Sequence, residues 1–222
     1  QSALVSIERL ALGVPVQMVL TILAAYPLSK PSDRFRWRMF FAWFFFFTML
    51  FSGGMIPTYL VMKDYGLINS IWSMILPWAV SSYYVIIMKN YFRSISPSLE
   101  EAAIIDGAGD LQILLRIILP ISLPFTMTFL LFYAVERWNE WWNAYLYINE
   151  KSLYPLQIYL REVLINMNNQ LSLMAQITSG KKIPAQSVQM GTIVITALPI
   201  LCVYPFVQKY FVKGVMIGSI KE

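Results

Sequence analysis

Histidine is absent from the 222 residues and cysteine occurs once, as Cys202. The first absence removes the side chain that most often acts as general base or metal ligand near neutral pH. The second excludes a disulfide framework and a cysteine metal cluster, and Cys202 itself lies in an apolar run where packing is its ordinary use. No glycine-rich phosphate loop is present, so a nucleotide site on this chain is not expected. No close pair of carboxylates suggests acid–base catalysis. Charged residues make up only 13%, too few for a soluble globular domain. Enzyme and metalloprotein classes are therefore poorly supplied, and no catalytic or metal-ligating residue is nominated.

What is abundant is apolar: 58% hydrophobic residues, 15% of the chain aromatic. Five stretches are long enough to cross about 30 Å of hydrocarbon. They run from Leu10 to Leu28, Met39 to Leu60, Leu67 to Met88, Ile117 to Val135 and Gly191 to Phe211. Their hydropathy is continuous rather than alternating, which predicts helices and not a barrel. The expected fold is an all-α integral membrane protein, a polytopic helix bundle forming one transmembrane domain over residues 1–222.

Basic residues give the orientation. Arg34, Arg36 and Arg38 follow the first span, Lys89 and Arg93 the third, Arg116 precedes the fourth, and Lys209, Lys213 and Lys221 follow the fifth. These ends are predicted to be cytoplasmic. The other side has Arg9 and Lys63 in short segments, and Arg137, Lys151, Arg161, Lys181 and Lys182 around a loop of residues 138–189. The inner flanks explain the net charge of +5 without nucleic acid. A start outside the membrane and no initiator Met lead to the expectation of a further span upstream, six in all.

The stretch Pro97 to Pro120, PSLEEAAIIDGAGDLQILLRIILP, separates two apolar spans. Pro97 suits a first helical turn, Ser96 or Ser98 can cap it, and Ser98 with Glu101 has the spacing of a capping box. Ala102 and Ala103 offer a small-residue face for close approach. Gly107-Ala108-Gly109 predicts a left-handed break, so the helix should end within about three turns. Asp110 can then cap a second helix with Leu111, Leu114, Leu115 and Ile118 at helical spacing. The expected product is a bent helix-turn-helix at the membrane surface.

Two other stretches invite a ligand reading. Phe51 to Leu60 contains Ser52, Gly53, Gly54 and Pro57, which weaken the second span near its outer end. Broken backbone at membrane depth is tolerated only against protein or a water-filled cavity, so tight packing and a pathway wall both fit. The outer end of the fourth span holds Tyr133, Glu136, Trp138 and Asn139, followed by Glu140, Trp141, Trp142 and Asn143. Indole faces with amides and carboxylates suit a sugar; they equally suit an interfacial aromatic belt. The hydroxyls of Ser81 and Ser82 most simply bond their own backbone.

The spacing Glu101-Ala102-Ala103, three residues, Gly107, nine residues, Ile117, one residue, Leu119-Pro120 resembles the EAA loop of ABC importer permeases at each fixed position. Gly53 to Tyr59, Tyr154-Pro155-Leu156-Gln157 and the ending Phe211 to Ser219 resemble the carbohydrate branch of that family, in a subgroup associated with oligosaccharides, including acidic ones from pectin or alginate. The resemblance covers the chain from Leu4 onward. It implies a multi-pass subunit of a bacterial cytoplasmic (inner) membrane. Its implied partners are a homologous second permease, a cytoplasmic ATPase dimer, an extracytoplasmic solute-binding protein and the lipid bilayer. ATP and Mg would be bound by the ATPase, with no cofactor on this chain. It also implies that residues 89–116 form a coupling loop, in which Ser98, Glu101, Ala102, Ala103, Asp106 and Gly107 meet the ATPase, Glu101 facing a basic residue there. Residues 212–222 would form a cytoplasmic tail lying against the same partner. Two other classes remain open on the residues alone. A secondary transporter or channel would need ion or proton sites within its spans, where charge is scarce, and a membrane enzyme would need the carboxylate or histidine cluster that is lacking.

Overall fold

The structure is a computed structural model and describes residues 1–162, together with 165, 190, 191, 194, 197–199, 201 and 202. Among these residues the secondary structure is helical, with no strand. The first helix, α1 (Ser2–Ser29), is about 42 Å long at 1.5 Å per residue. It is apolar enough to cross a membrane unbroken, even with Pro15 and Pro27 inside it.

The next three expected spans appear as bent pairs. Helix α2 (Arg38–Leu50) and α3 (Met55–Asp64) meet at 115°, and two short turns (Ile71–Met74, Leu76–Trp78) meet α4 (Ser82–Ser94) at 53°. In the third pair, Asp110–Ile121 meets α8 (Leu123–Asn139) at 85°. Each pair has the combined length and composition of one span. The sequence correctly anticipates a weak point at Ser52–Gly54, since Gly54 takes a left-handed φ of 86°. Pro57 plays a different part from the one expected: it occupies the first turn of α3, where a missing N–H costs nothing.

The fourth span departs from expectation, because a continuous helix from Ile117 to Val135 is not formed. Helix α6 (Asp110–Ile113) runs through a π turn, Leu114–Ile118, into the single turn α7 (Leu119–Ile121), and the chain kinks at Ser122 before α8. Pro120 and Pro124 each lack the N–H that would continue the ladder, and their rings crowd the preceding turn. Two prolines four residues apart bend what one would only weaken.

Helix α1 packs chiefly on α4 and α8. Their core includes Met18, Tyr26, Met88, Phe92, Ile118, Phe129 and Tyr133. A smaller cluster of Val5, Met74, Ala144, Ile148 and Ile158 closes the opposite end, joined by α9 (Trp142–Tyr147) and a helical stretch at 156–162. By contrast, α2 fully buries no residue: most of its aromatic run faces outward, while Phe45 packs against the core. The fifth expected span lies mostly outside the described residues. So do the later part of the 138–189 loop and the whole of the 212–222 tail.

Candidate functional site

Helix α5 (Pro97–Ile105) begins with proline in its first turn and ends on Gly107, whose φ is 81°. The Gly107 N–H donates to Ile104 O at 2.9 Å and the Ala108 N–H to Ala103 O at 2.9 Å. These paired bonds make a Schellman close, which needs a left-handed residue where Gly107 stands. A Cβ there would meet nothing within 4 Å. The demand for glycine is thus conformational rather than steric.

The start of α5 differs from the expected capping box. Ser96 holds the N-cap position without a side-chain cap bond, and its hydroxyl lies 2.8 Å from that of Ser98. Asp110 likewise does not cap α6: Gly109 takes that position and Asp110 enters the first turn, where its charge suits the helix dipole.

The two alanines part company. Ala103 is buried in the main core, so its small side chain lets α5 lie close on this chain's own helices. Ala102 faces outward with Leu99 and Ile105, three residues apart in turn, and Ile105 is 86% exposed. Ser98, Glu101, Asp106 and Gly107 are exposed as well. An apolar stripe framed by acidic groups therefore projects at the end of the bundle.

What anchors this hairpin is a group that sequence reasoning passed over. The Glu100 carboxylate accepts from the Lys30 ammonium, and from Arg34 Nη1 at 3.3 Å. Arg34 also reaches Asp110 at 3.5 Å. Lys30 is buried, and burial draws its ammonium below the usual lysine range while the bond to Glu100 opposes the shift. The sequence shows Arg34 only as an orientation signal and gives Lys30 no role. Their distance along the chain from Glu100 hides the pairing.

At the other end of α2, the break at 51–54 opens a cavity of about 1030 Å³. Its wall includes Ser52, Gly54, Trp78, Tyr83, Trp142 and Asn143, together with the hydroxyls of Thr48, Ser81 and Ser82. Thr48 Oγ1 and Ser82 Oγ lie 2.8 Å apart, and Ser81 caps α4 by accepting from the Tyr84 N–H at 3.4 Å. Trp78 Nε1 donates to Asn143 Oδ1 at 3.3 Å, whereas Asn143 Nδ2 is buried without a partner. No charged side chain lines this cavity among the described residues.

Other sequence candidates fall elsewhere. Gly53 and Pro57 adjoin the break but do not line the cavity, and Tyr133, Glu136, Trp138 and Asn139 lie outside it. Tyr133 is fully buried, its hydroxyl 2.6 Å from Thr21 Oγ1. Glu136 accepts from the Tyr84 hydroxyl, and Asn139 Nδ2 donates to Val135 O at 3.0 Å. Trp138 is buried. The neighbouring Glu140 is more tightly engaged: buried Arg9 donates to both its side chain and its carbonyl, the latter at 3.0 Å, and its Oε1 accepts from the Asn143 N–H at 2.6 Å.

Residues 13–217 match the family described as binding-protein-dependent transport system inner membrane component. The chain belongs to that family. This permease is 45% identical over 221 residues to the polygalacturonan/rhamnogalacturonan transport system permease protein YtcP of Bacillus subtilis, covering all of this chain and 77% of that relative. It is 44% identical to protein LplC of the same organism, covering 98% of this chain and 72% of LplC. Its fold superposes on a bacterial ABC transporter involved in the import of the acidic polysaccharide alginate with a TM-score of 0.82 at 36% identity. That match covers 95% of this chain and 74% of the other. The permease is accordingly a transport subunit of an inner membrane system, and ATP hydrolysis falls to a separate subunit.

Proposed function

We propose that this permease is the membrane-spanning subunit of an ATP-driven, binding-protein-dependent importer of oligosaccharides, with acidic ones of the pectin or alginate kind as its cargo. The observation that carries the coupling role is the α5 hairpin: an outward apolar stripe of Leu99, Ala102 and Ile105 beside Glu101, closed by left-handed Gly107 and pinned by Glu100. Such a surface suits a groove on a cytoplasmic ATPase dimer, which would hold ATP and Mg. Residues 89–116 act as the coupling loop, 212–222 as a tail beside the same partner, and 138–189 as an extracytoplasmic loop. Spans broken by design, a second permease and a solute-binding protein complete an alternating-access cycle in the cytoplasmic membrane.

The cavity at the α2–α3 break supports carriage of a sugar. Its rings present apolar faces and its hydroxyls and Asn143 present hydrogen-bonding groups, the combination that a sugar ring requires. The chain's similarity to the polygalacturonan/rhamnogalacturonan permease and to the alginate importer supports an acidic cargo.

The deciding experiment reconstitutes the complete importer with its ATPase and binding protein. Glu101→Lys is expected to abolish uptake stimulated by binding protein while the chain still inserts. Normal uptake and normal ATPase recruitment in that variant would overturn the coupling role.

A further inference from the structure

A second groove, of about 330 Å³, runs between α2 and α4. Leu28, Met39, Trp43, Phe46 and Ile86 make its apolar wall, and Lys89 closes one end. Its wall is thus hydrocarbon-like along its length and cationic at one terminus. Around that terminus stand two further cations, Arg38, which directly precedes Met39 at the start of α2, and Arg93, one helical turn beyond Lys89 in the last turn of α4.

Arg38 and Arg93 also line a neighbouring pocket with Asp33, Glu100 and Glu101, but with Lys30, Arg34 and Lys89 beside them the corner keeps an excess of positive charge. Lys30 and Arg34 are held by Glu100 and Asp110, but among the described residues none of Arg38, Lys89 or Arg93 enters an ion pair. Arg38 spends one N–H on the Lys30 carbonyl at 3.1 Å, and Arg93 is exposed. Three cations held close together repel one another unless an anion joins them.

We infer that the α2–α4 groove binds one anionic phospholipid, an acyl chain lying along Met39, Trp43 and Phe46 and its phosphate among Arg38, Lys89 and Arg93. Basic corners between membrane helices at the cytoplasmic face are where such headgroups bind, and the charge rule assigns this end to that face. A free phosphate would satisfy the cations but leave the groove empty. A neutral lipid would fill the groove but leave the cations unanswered. The inference requires only that the chain be embedded in a membrane and is independent of which solute is carried.

The test uses the complete importer in phosphatidylcholine vesicles, into which acyl-brominated phosphatidylglycerol or acyl-brominated phosphatidylcholine is titrated. The difference between wild type and Trp43→Phe isolates the emission of Trp43, which bromine in the groove would quench. Quenching should reach half its extent at a fraction of phosphatidylglycerol at least about fivefold below that of phosphatidylcholine. Lys89→Gln with Arg93→Gln should erase the preference, at about fivefold per charge, whereas Lys89→Arg with Arg93→Lys should keep it. Equal quenching by both lipids, in wild type, would reduce the groove to unselective lipid contact. Absence of quenching by either would mean that protein covers it. Either result overturns the inference.

Discussion

The ammonium of Lys30, one residue beyond the long first helix, is bonded to the carboxylate of Glu100 in the first turn of α5, seventy residues further along the chain. The two side chains are mostly shielded, at 8% and 15% exposure, so water screens the pair less than an exposed one. The hairpin is therefore fastened to the helix that packs on both α4 and α8. Movement of the hairpin must move that helix.

Glu100→Gln should loosen this fastening without unfolding the bundle. Charge-assisted hydrogen bonds of this kind contribute about 1.5–3 kcal/mol each. The expected outcome is more ATP hydrolysed per solute imported, read as the ratio of the two rates in reconstituted vesicles. The exchange Lys30→Glu with Glu100→Lys should recover much of the coupling; an unchanged ratio in Glu100→Gln would remove the fastening from the mechanism.

Gly107 sets a ranking. A left-handed conformation costs an ordinary L-residue about 1–2 kcal/mol, with asparagine penalised least. Uptake should fall in the order Gly107, Asn, Ala, Val at that position, while the amount of chain in the membrane stays level. Equal uptake with alanine and valine would show that the hairpin tolerates another close.

The Arg9–Glu140 pair predicts a stability effect rather than a transport effect. Glu140→Gln leaves a buried guanidinium without its counter-charge, at a cost of about 3 kcal/mol or more. The purified complex should lose solubility at a distinctly lower temperature than wild type. The double change Arg9→Met with Glu140→Met should regain most of that loss, since apolar replacement removes the buried charge altogether.

Much of this was readable along the chain because it depends on local chemistry. Gly107 breaks a helix through its own φ, and Gly54 does so in the same way, so a sequence that names them names the breaks. The 85° kink at Pro120 and Pro124 was not legible, because hydropathy reads Ile117 to Val135 as one continuous span and the bend depends on the two prolines acting together. Glu100 and Glu101 are adjacent acids, and the sequence singles out Glu101 by its motif spacing while giving Glu100 no part. Only the packing of α5 over Lys30 turns one inward and leaves the other outside. The same packing separates Ala102 from Ala103. Trp78 and Tyr83 were invisible as partners of Trp142 and Asn143 because the wall that joins them exists only once α2 has broken.

That wall gives a measurable prediction. Trp142→Ala and Trp78→Ala each remove a ring face against which a sugar can stack, worth about 1 kcal/mol, so each should raise the KM for uptake about fivefold with less change in maximal rate. Unchanged KM in both would place the solute path on other surfaces.

The same wall carries neither carboxylate nor amine nor imidazole among the described residues. A proton has nowhere to rest along it, and a sodium ion has no carboxylate to hold it. Among the described residues this lining therefore offers no titratable carboxylate or imidazole through which a proton gradient could couple to transport. Vesicles loaded with ATP should continue to take up solute when a protonophore collapses the pH gradient.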